Sequence, residues 1–223
     1  MICIGYIGVE AFDIILYISK TLTILNYPVL IIDLSDTGTL THTLYHGMGL
    51  DSKSNIIDYR DINYTRKLPE DKELADYKDG VIFIVYGLNN NWSTSLSPDY
   101  LNIVLDAFPS SGKKVNEYLS NIKIDNIKVR LLVRNIITRD DYDRVKNSIL
   151  SEIRSISSRY IYYDMNDYEN AIKCQVSQAI SFRKVSASMR KYIRSEIADL
   201  LPSIKPFIIR RAINRAMKGE YYR

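Results

Sequence analysis

The chain contains few residues of the types that bind metal ions. Its two histidines, His42 and His46, are four residues apart and could share one face of a helix, whereas Cys3 and Cys174 are far apart in the sequence. A protein zinc site usually needs a cluster of four such ligands, and no third ligand lies near the histidine pair. We therefore predict no metal site and no disulfide framework, and two lone cysteines suit a reducing cytoplasm.

Two segments combine glycine with polar residues in a way that suggests phosphate binding. Segment 110–114 reads Ser-Ser-Gly-Lys-Lys, but it lacks spaced glycines and predicts an ordinary helix start. Segment 5–13 reads Gly-Tyr-Ile-Gly-Val-Glu-Ala-Phe-Asp and follows an apolar run. It holds two acidic residues, and no lysine occurs between Met1 and Ser19.

The acidic residues of segment 5–13 oppose phosphate binding. Backbone N–H groups and a lysine ammonium normally balance phosphate charge, and a Ser or Thr hydroxyl holds Mg²⁺. Glu10 and Asp13 would place negative charge there instead. Two like charges about 4 Å apart cost ~4 kcal/mol at an effective dielectric constant near 20, against the ~8 kcal/mol of a micromolar site. A helix N-terminus favours anions by only ~0.3–1 kcal/mol, and the two acids can use that dipole themselves.

Short apolar runs alternate with amphipathic segments, which is the pattern of a parallel sheet covered on both faces. The first 33 residues read strand, helix, strand. Right-handed crossovers between about six such strands give an α/β fold with three layers and a doubly wound, mainly parallel sheet. The predicted strands are 1–7, 29–32, 80–86, 100–106, 128–133 and 160–163, and the predicted helices are 12–25, 110–119, 140–157, 186–201 and 206–217.

Composition and charge exclude several classes of protein. The 223 residues are 46% hydrophobic and 25% charged, which is typical of a globular chain. No apolar run approaches the ~18 residues of a membrane span, and the first residues lack the basic region of a signal peptide. Segment 205–223 has six basic residues and one acidic residue, which gives it a net charge of +5. Since the whole chain carries +4, residues 1–204 carry −1. A nearly neutral body makes nucleic acid an unexpected partner.

The order of these features resembles the ParA/MinD family of P-loop ATPases, within the signal-recognition-particle-like class. Segment 29–35 resembles the family's second strand, with Asp33 at the first acidic position and Ser35 in place of the second acid. Segment 132–135 resembles the strand whose terminal asparagine, here Asn135, reads the adenine base. Segments 162–164 and 181–186 resemble the adenine-side loop and the link before the last helices. The resemblance implies one P-loop NTPase-like domain over residues 1–202.

The departures from the family are larger than the matches. The glycine-rich loop lacks the Gly-Lys-Thr of the family, and the strand at 81–85 continues into Tyr86 and Gly87 where the family has an aspartate. Phosphoryl transfer depends on positioning and charge neutralisation, so we predict no ATPase activity, no cofactor and no catalytic residue. The resemblance leaves a vestigial nucleotide site; each of its residues also has a purely structural reading as a turn or cap residue. These residues are Gly5, Gly8, Asp33 and Asn135.

Segment 203–223 contains a basic amphipathic helix. Its apolar residues can share one broad side, and its basic residues lie elsewhere on the helix. MinD-like proteins use a similar helix at the membrane. Three readings stay open here: packing on the chain's own body or a dimer mate, docking on a protein partner, and binding an anionic membrane. The residues concerned are Phe207, Ile209, Arg210, Arg211, Ile213, Arg215 and Met217.

The resemblance implies a cytoplasmic protein, peripheral at the inner membrane face if the helix binds lipid. We expect a non-catalytic scaffold or positioning protein that acts through protein contacts, such as those that place a bacterial surface or secretion apparatus. The family dimerises around nucleotide, so a homodimer here would need another interface, with Tyr86, Trp92 and segment 37–79 as candidates. Two alternatives remain: a switch that binds ATP and Mg²⁺ through an atypical loop, and a DNA-partition protein.

Overall fold

The structure is a computed structural model, and it describes residues 1–43, 56–88, 96–122, 124, 127–149, 153, 156–180 and 182–219. Strands and helices alternate along most of the chain. The strands are β1 (Ile2–Gly8), β2 (Val29–Asp33), β3 (Ile57–Tyr59), β4 (Ile62–Thr65), β5 (Val81–Gly87), β6 (Tyr100–Leu105), β7 (Lys128–Ile136) and β8 (Ser157–Tyr162). The helices are α1 (Phe12–Ile24), α2 (Thr39–His42), α3 (Asp71–Leu74), α4 (Pro109–Leu119), α5 (Arg139–Lys146), α6 (Met165–Val176), α7 (Ala187–Leu200) and α8 (Pro206–Met217).

The strands form one eight-stranded sheet in the order β3-β4-β2-β5-β1-β6-β7-β8. All pairs are parallel except β3 with β4. The central strands are buried on both faces because one apolar cluster packs them against α1, α7 and α8 and a second packs them against α4 and α5. The predicted three-layer, doubly wound α/β fold is therefore confirmed.

The first difference from the prediction is a β-hairpin in segment 37–79, which the sequence indicated only as polar and irregular. Arg60 and Asp61 join β3 to β4, and both have positive φ angles, 61° and 66°. Two left-handed residues in a two-residue loop make the type I′ turn that suits the twist of a hairpin. The buried Lys20 of α1 donates to Asp61 Oδ2 at 3.0 Å and fixes the hairpin to the helix layer.

Two helical predictions also need correction. Helix α5 ends at Lys146, well before the predicted end at residue 157, although part of that span lies outside the described residues. Helix α6, after β8, was not predicted at all. The reason lies in its pattern, because its buried side chains include the polar Asp167 and Asn170.

Helix α8 packs on α1 and α7. Ile209 and Ile213 are fully or almost fully buried in the same apolar cluster as α1, so they do not form the free membrane or partner face that the sequence left open. Met217 is partly buried against this cluster, whereas Phe207 is 65% exposed. The basic Arg210 and Arg211 are exposed, and Arg215 is half-buried. No helix in the described part of the chain has the length and apolarity that a membrane crossing requires.

A buried carboxylate ties α7 to three strands of the sheet. Glu196 is 1% exposed. Its Oε1 accepts from Arg130 Nη1 at 2.6 Å and from Asn102 at 3.3 Å, and its Oε2 accepts from Arg159 Nη1 at 2.9 Å. Each donor comes from a different strand, β6, β7 and β8, so one side chain of the helix layer joins strands that are distant in sequence.

Candidate nucleotide site

Ligands of doubly wound sheets bind at the carboxyl ends of the strands, where the order of the strands reverses. Gly8 and Asp33 lie there, at the last positions of β1 and β2. Gly5 lies inside β1, and a Cβ there would contact the Leu101 and Tyr86 side chains at 3.0–3.1 Å. Gly5 thus has a packing role and does not face the loop. Asn135 is exposed near the end of β7, with a left-handed φ of 59°.

Gly8 allows the loop after β1 to lie directly on β6. Its φ is 105°, and a Cβ would lie 2.1 Å from the Val104 carbonyl oxygen. That same oxygen accepts from Val9 N–H at 2.9 Å. A phosphate loop relies on free backbone N–H groups, and here the N–H directly after the glycine is already used within the sheet.

The first turn of α1 is filled by an ion pair within the chain. Arg134, at the end of β7, donates from Nη1 and Nη2 to the two oxygens of Asp13 at 2.8 and 2.7 Å, and Nη1 also donates to the Glu10 carbonyl oxygen at 2.8 Å. The Asp13 side chain is 1% exposed and that of Arg134 is 12% exposed. Burial alone would lower the pKa of Arg134, but the charge of Asp13 and its hydrogen bonds raise it above the ordinary value. The two N–H groups of Arg134 thus bind the two oxygens of Asp13 in a bidentate arrangement.

Asp33 is held by its own neighbours. Its Oδ1 accepts from the Ser35 hydroxyl at 2.5 Å and from Ser35 N–H at 3.1 Å, and its Oδ2 accepts from the Thr41 hydroxyl at 3.4 Å. Thr37, which follows, donates to the Glu10 carboxylate. Asp33 is 3% exposed, so the residue that matches the family's acid closes a turn in this chain.

The residues of this loop do not fit a magnesium triphosphate. The cavity lined by Gly8, Glu10, Ala11 and Gly87 has a volume of about 10 Å³, which is about the space that one water molecule needs. A larger groove, of about 440 Å³, lies elsewhere, between β8 and α7 at the lateral edge of the sheet, and none of the loop residues lines it. Arg134, a cation that contacts the loop through the Glu10 carbonyl oxygen, is already paired with Asp13.

The sequence interpretation missed the role of Arg134, because its partner is 121 residues away. It also proposed Tyr86 for a dimer interface, and this was wrong: Tyr86 is fully buried in the second apolar cluster. Trp92 and His46 lie outside the described residues. Among the residues that the structure does describe, no three His, Cys, Asp or Glu side chains are grouped to hold a metal ion.

Replacing Glu10 with glutamine is expected to stabilise the protein at neutral pH. Burial raises the pKa of Glu10, and the charges of Asp33 and Asp36 raise it further, although the Thr37 hydrogen bond opposes them. A carboxyl with a raised pKa binds its proton more tightly in the folded state, so stability falls as the pH rises from the ordinary pKa of glutamate through the raised value. Glutamine keeps a hydrogen-bond acceptor without this penalty.

We expect the gain from E10Q to be up to about 1 kcal/mol at pH 7 and to disappear near pH 4. Urea unfolding of both proteins at pH 4, 5.5 and 7 measures it. Glu117→Gln, at an exposed position on α4, is the matched control. A gain that does not change with pH would contradict this account of Glu10.

The chain resembles known proteins in its fold and only weakly in its sequence. No protein-family model and no curated protein sequence matches it. A plasmid partition protein from Borrelia burgdorferi, bound to AMPPNP, matches with 15% identity and a TM-score of 0.58 over 91% of this chain and 99% of that chain. The MinC:MinD cell division complex of Aquifex aeolicus matches with 13% identity and a TM-score of 0.53 over 100% and 98%. The pNOB8 ParA bound to nonspecific DNA matches with 14% identity and a TM-score of 0.50 over 99% and 100%.

These identities are low, and the matched lengths are nearly complete on both sides. What the chain shares with these proteins is therefore the arrangement of the whole domain. The eight-stranded, mainly parallel sheet covered by helices on both faces is the fold of the ParA/MinD P-loop ATPases.

Proposed function

We propose that this protein is a non-catalytic scaffold or positioning protein with a ParA/MinD-type fold, and that it acts through protein–protein contacts without nucleotide. One observation carries the proposal: the Asp13–Arg134 ion pair occupies the first turn of α1, where a phosphate loop would need a free cation. The small cavity beside Gly8 and the negative charge of Glu10 support it.

The energetic argument concerns the cost of displacing this pair. A triphosphate entering the turn would have to separate Arg134 from a carboxylate that is 1% exposed. Removing one partner of a buried ion pair costs about 3–5 kcal/mol, which is a large part of the ~8 kcal/mol of a micromolar complex. A functional nucleotide switch would need additional favourable contacts elsewhere in the site.

The related structures are compatible with a positioning role. The Aquifex MinD structure is a complex with another protein, MinC, and a scaffold of this kind could place a bacterial surface or secretion apparatus. The pNOB8 ParA structure contains DNA, but residues 1–204 of this chain carry a net charge of −1. Since phosphate contacts by basic residues supply most nonspecific DNA affinity, the charge distribution favours a protein partner over DNA.

Calorimetric titration of the full chain with Mg-ATP and Mg-ADP tests the proposal. We expect no saturable heat up to millimolar nucleotide, and no phosphate release in a parallel ATPase assay. A dissociation constant below about 10 μM would overturn the proposal. The control for a competent sample is the cooperative unfolding of the same preparation, measured before and after the titration.

A further inference from the structure

Helix α6 turns two polar side chains toward the core, beside the buried Cys174, and leaves its large apolar side chains exposed. Its inward side chains include Asp167 and Asn170, which are 7% and 5% exposed. Asp167 accepts from Ser186 N–H at 2.7 Å, and the Asn170 amide donates to the Arg183 carbonyl oxygen at 2.7 Å. The helix is thus held to the segment before α7 by hydrogen bonds, and its large apolar side chains are left for the outer face.

The outer face of α6 is a continuous apolar stripe, which we call the α6 stripe and define as Met165, Tyr168, Ile172 and Val176. Spacings of three, four and four residues place these side chains along one line of a helix. They are 58%, 57%, 44% and 81% exposed, respectively. Single exposed apolar residues are ordinary, but contiguous apolar patches mark interaction sites.

We propose that the α6 stripe is a homodimer interface, in which two copies of the chain pack their α6 helices antiparallel about a two-fold axis. This inference rests on the proposed function, because a scaffold without nucleotide needs a contact surface that is independent of nucleotide. A two-fold interface must be complementary to itself. The stripe meets this condition, since an axis between Tyr168 and Ile172 places Met165 of one copy near Val176 of the other.

The charges beside the stripe favour the antiparallel arrangement. Glu169 and Lys173 are exposed, lie on the same flank of the stripe and pair with each other at 3.3 Å within the helix. The same two-fold axis brings Glu169 of one copy opposite Lys173 of the other, on both ends of the contact. Antiparallel packing also places the positive end of each helix dipole beside the negative end of its neighbour. In a parallel two-fold pair the two flanks would lie on opposite sides of the interface, so this Glu–Lys contact between the copies would be lost.

The size of the surface sets the strength of the contact. A 12-residue helix is about 18 Å long, so two such helices bury an area in the small-interface range, below about 1,200 Å² in total. Tyr163, which is 49% exposed and lies two residues before the helix, can extend the surface. We therefore expect a reversible dimer with a dissociation constant in the micromolar range.

Sedimentation equilibrium of the full chain without nucleotide, at 1–200 μM, tests the inference. We expect a monomer–dimer equilibrium. Tyr168→Glu and Ile172→Glu should each raise the dissociation constant of the dimer at least tenfold. Phe207→Glu, at an exposed apolar residue on α8, is the matched control and should leave the equilibrium unchanged. Thermal unfolding at low concentration verifies that each variant is folded.

Charge reversal identifies the geometry. Glu169→Lys and Lys173→Glu should each weaken self-association, and an equimolar mixture of the two variants should form heterodimers more readily than either forms homodimers. A wild-type protein that is monomeric at 200 μM, or a dimer that the two stripe variants leave intact, would refute the inference. A monomer that instead floats with anionic phospholipid vesicles through the stripe would assign the surface to lipid and refute the dimer.

These results are separable from the test of the proposed function. Dimerisation through α6 without nucleotide, together with tight ATP binding, would refute the proposed function and leave the interface in place. A monomer that binds no nucleotide would refute the interface and leave the proposed function.

Discussion

Glu196→Ala is expected to lower the free energy of unfolding by about 3–5 kcal/mol, because it removes one partner of a buried ion pair and leaves the other charge unpaired. Arg130 is 4% exposed, and Glu196 is the only carboxylate that the described structure places within salt-bridge distance of it. In the variant, the Arg130 guanidinium would still stack on the Tyr100 ring, 3.8 Å from its centroid. Such a cation–π contact contributes only about 0.5–2 kcal/mol.

The matched control for this variant is Asp199→Ala. Asp199 also pairs with Arg159, at 2.6 Å, but its side chain is 39% exposed. Exposed pairs contribute about 0–1 kcal/mol, so D199A should have a small effect. Urea unfolding followed by circular dichroism gives both values. Equal losses for E196A and D199A would contradict the larger contribution that we assign to the buried Glu196.

A double replacement separates the charge from the packing. Arg130→Met with Glu196→Leu removes both charges and retains most of the volume, and such exchanges of a buried pair for apolar residues are often neutral or stabilising. We therefore expect the double variant to be more stable than E196A alone. Arg159 keeps Asp199 as its partner in either background.

The central sheet could be predicted from the sequence because its strands are buried on both faces. Val81–Gly87 is buried at every position but the last, and such a strand reads as a continuous apolar run. The edge strands lack this signal. Neither Arg60 nor Asp61 is the asparagine or glycine typical of a type I′ turn, so the β3–β4 hairpin could not be identified.

Helix α6 was missed for a different reason. Sequence patterns identify a helix by apolar residues on its core face, and α6 has Asp167 and Asn170 there. Its apolar residues have the helical spacing on the opposite face, so the sequence does carry a helical signal there, but the spacing alone does not show that this face is exposed. The features that made α6 hard to predict are the ones that indicate a contact surface.

At the candidate site, the sequence indicated the acidic residues of the loop but not the arginine that pairs with one of them. Glu10 and Asp13 were expected to place negative charge in the loop, and the helix dipole was the expected partner of Asp13. In the structure it binds a guanidinium from β7. A contact between residues 13 and 134 depends on β1 and β7 being brought to the same edge of the sheet, and no local pattern shows that.

Arg134→Ala is expected to destabilise the protein by about 3–5 kcal/mol, since it leaves the Asp13 carboxylate buried without its partner. It also removes the donor to the Glu10 carbonyl oxygen, so the turn between β1 and α1 loses its link to β7. Asp13→Ala should have an effect of similar size, because it leaves the guanidinium unpaired in the same place.

The double variant D13A/R134A distinguishes an ion pair from two independent contributions. If the residues act mainly on each other, the double variant should lose much less stability than the sum of the two single losses, with a coupling of about 1–3 kcal/mol. Arg144→Ala is the control: it breaks another Arg–Asp pair, with Asp141 at 2.8 Å, in which the arginine side chain is 57% exposed, and should cost less than about 1 kcal/mol. Strictly additive losses in the cycle would contradict the role assigned to this pair and, with it, the energetic argument against a triphosphate in the loop.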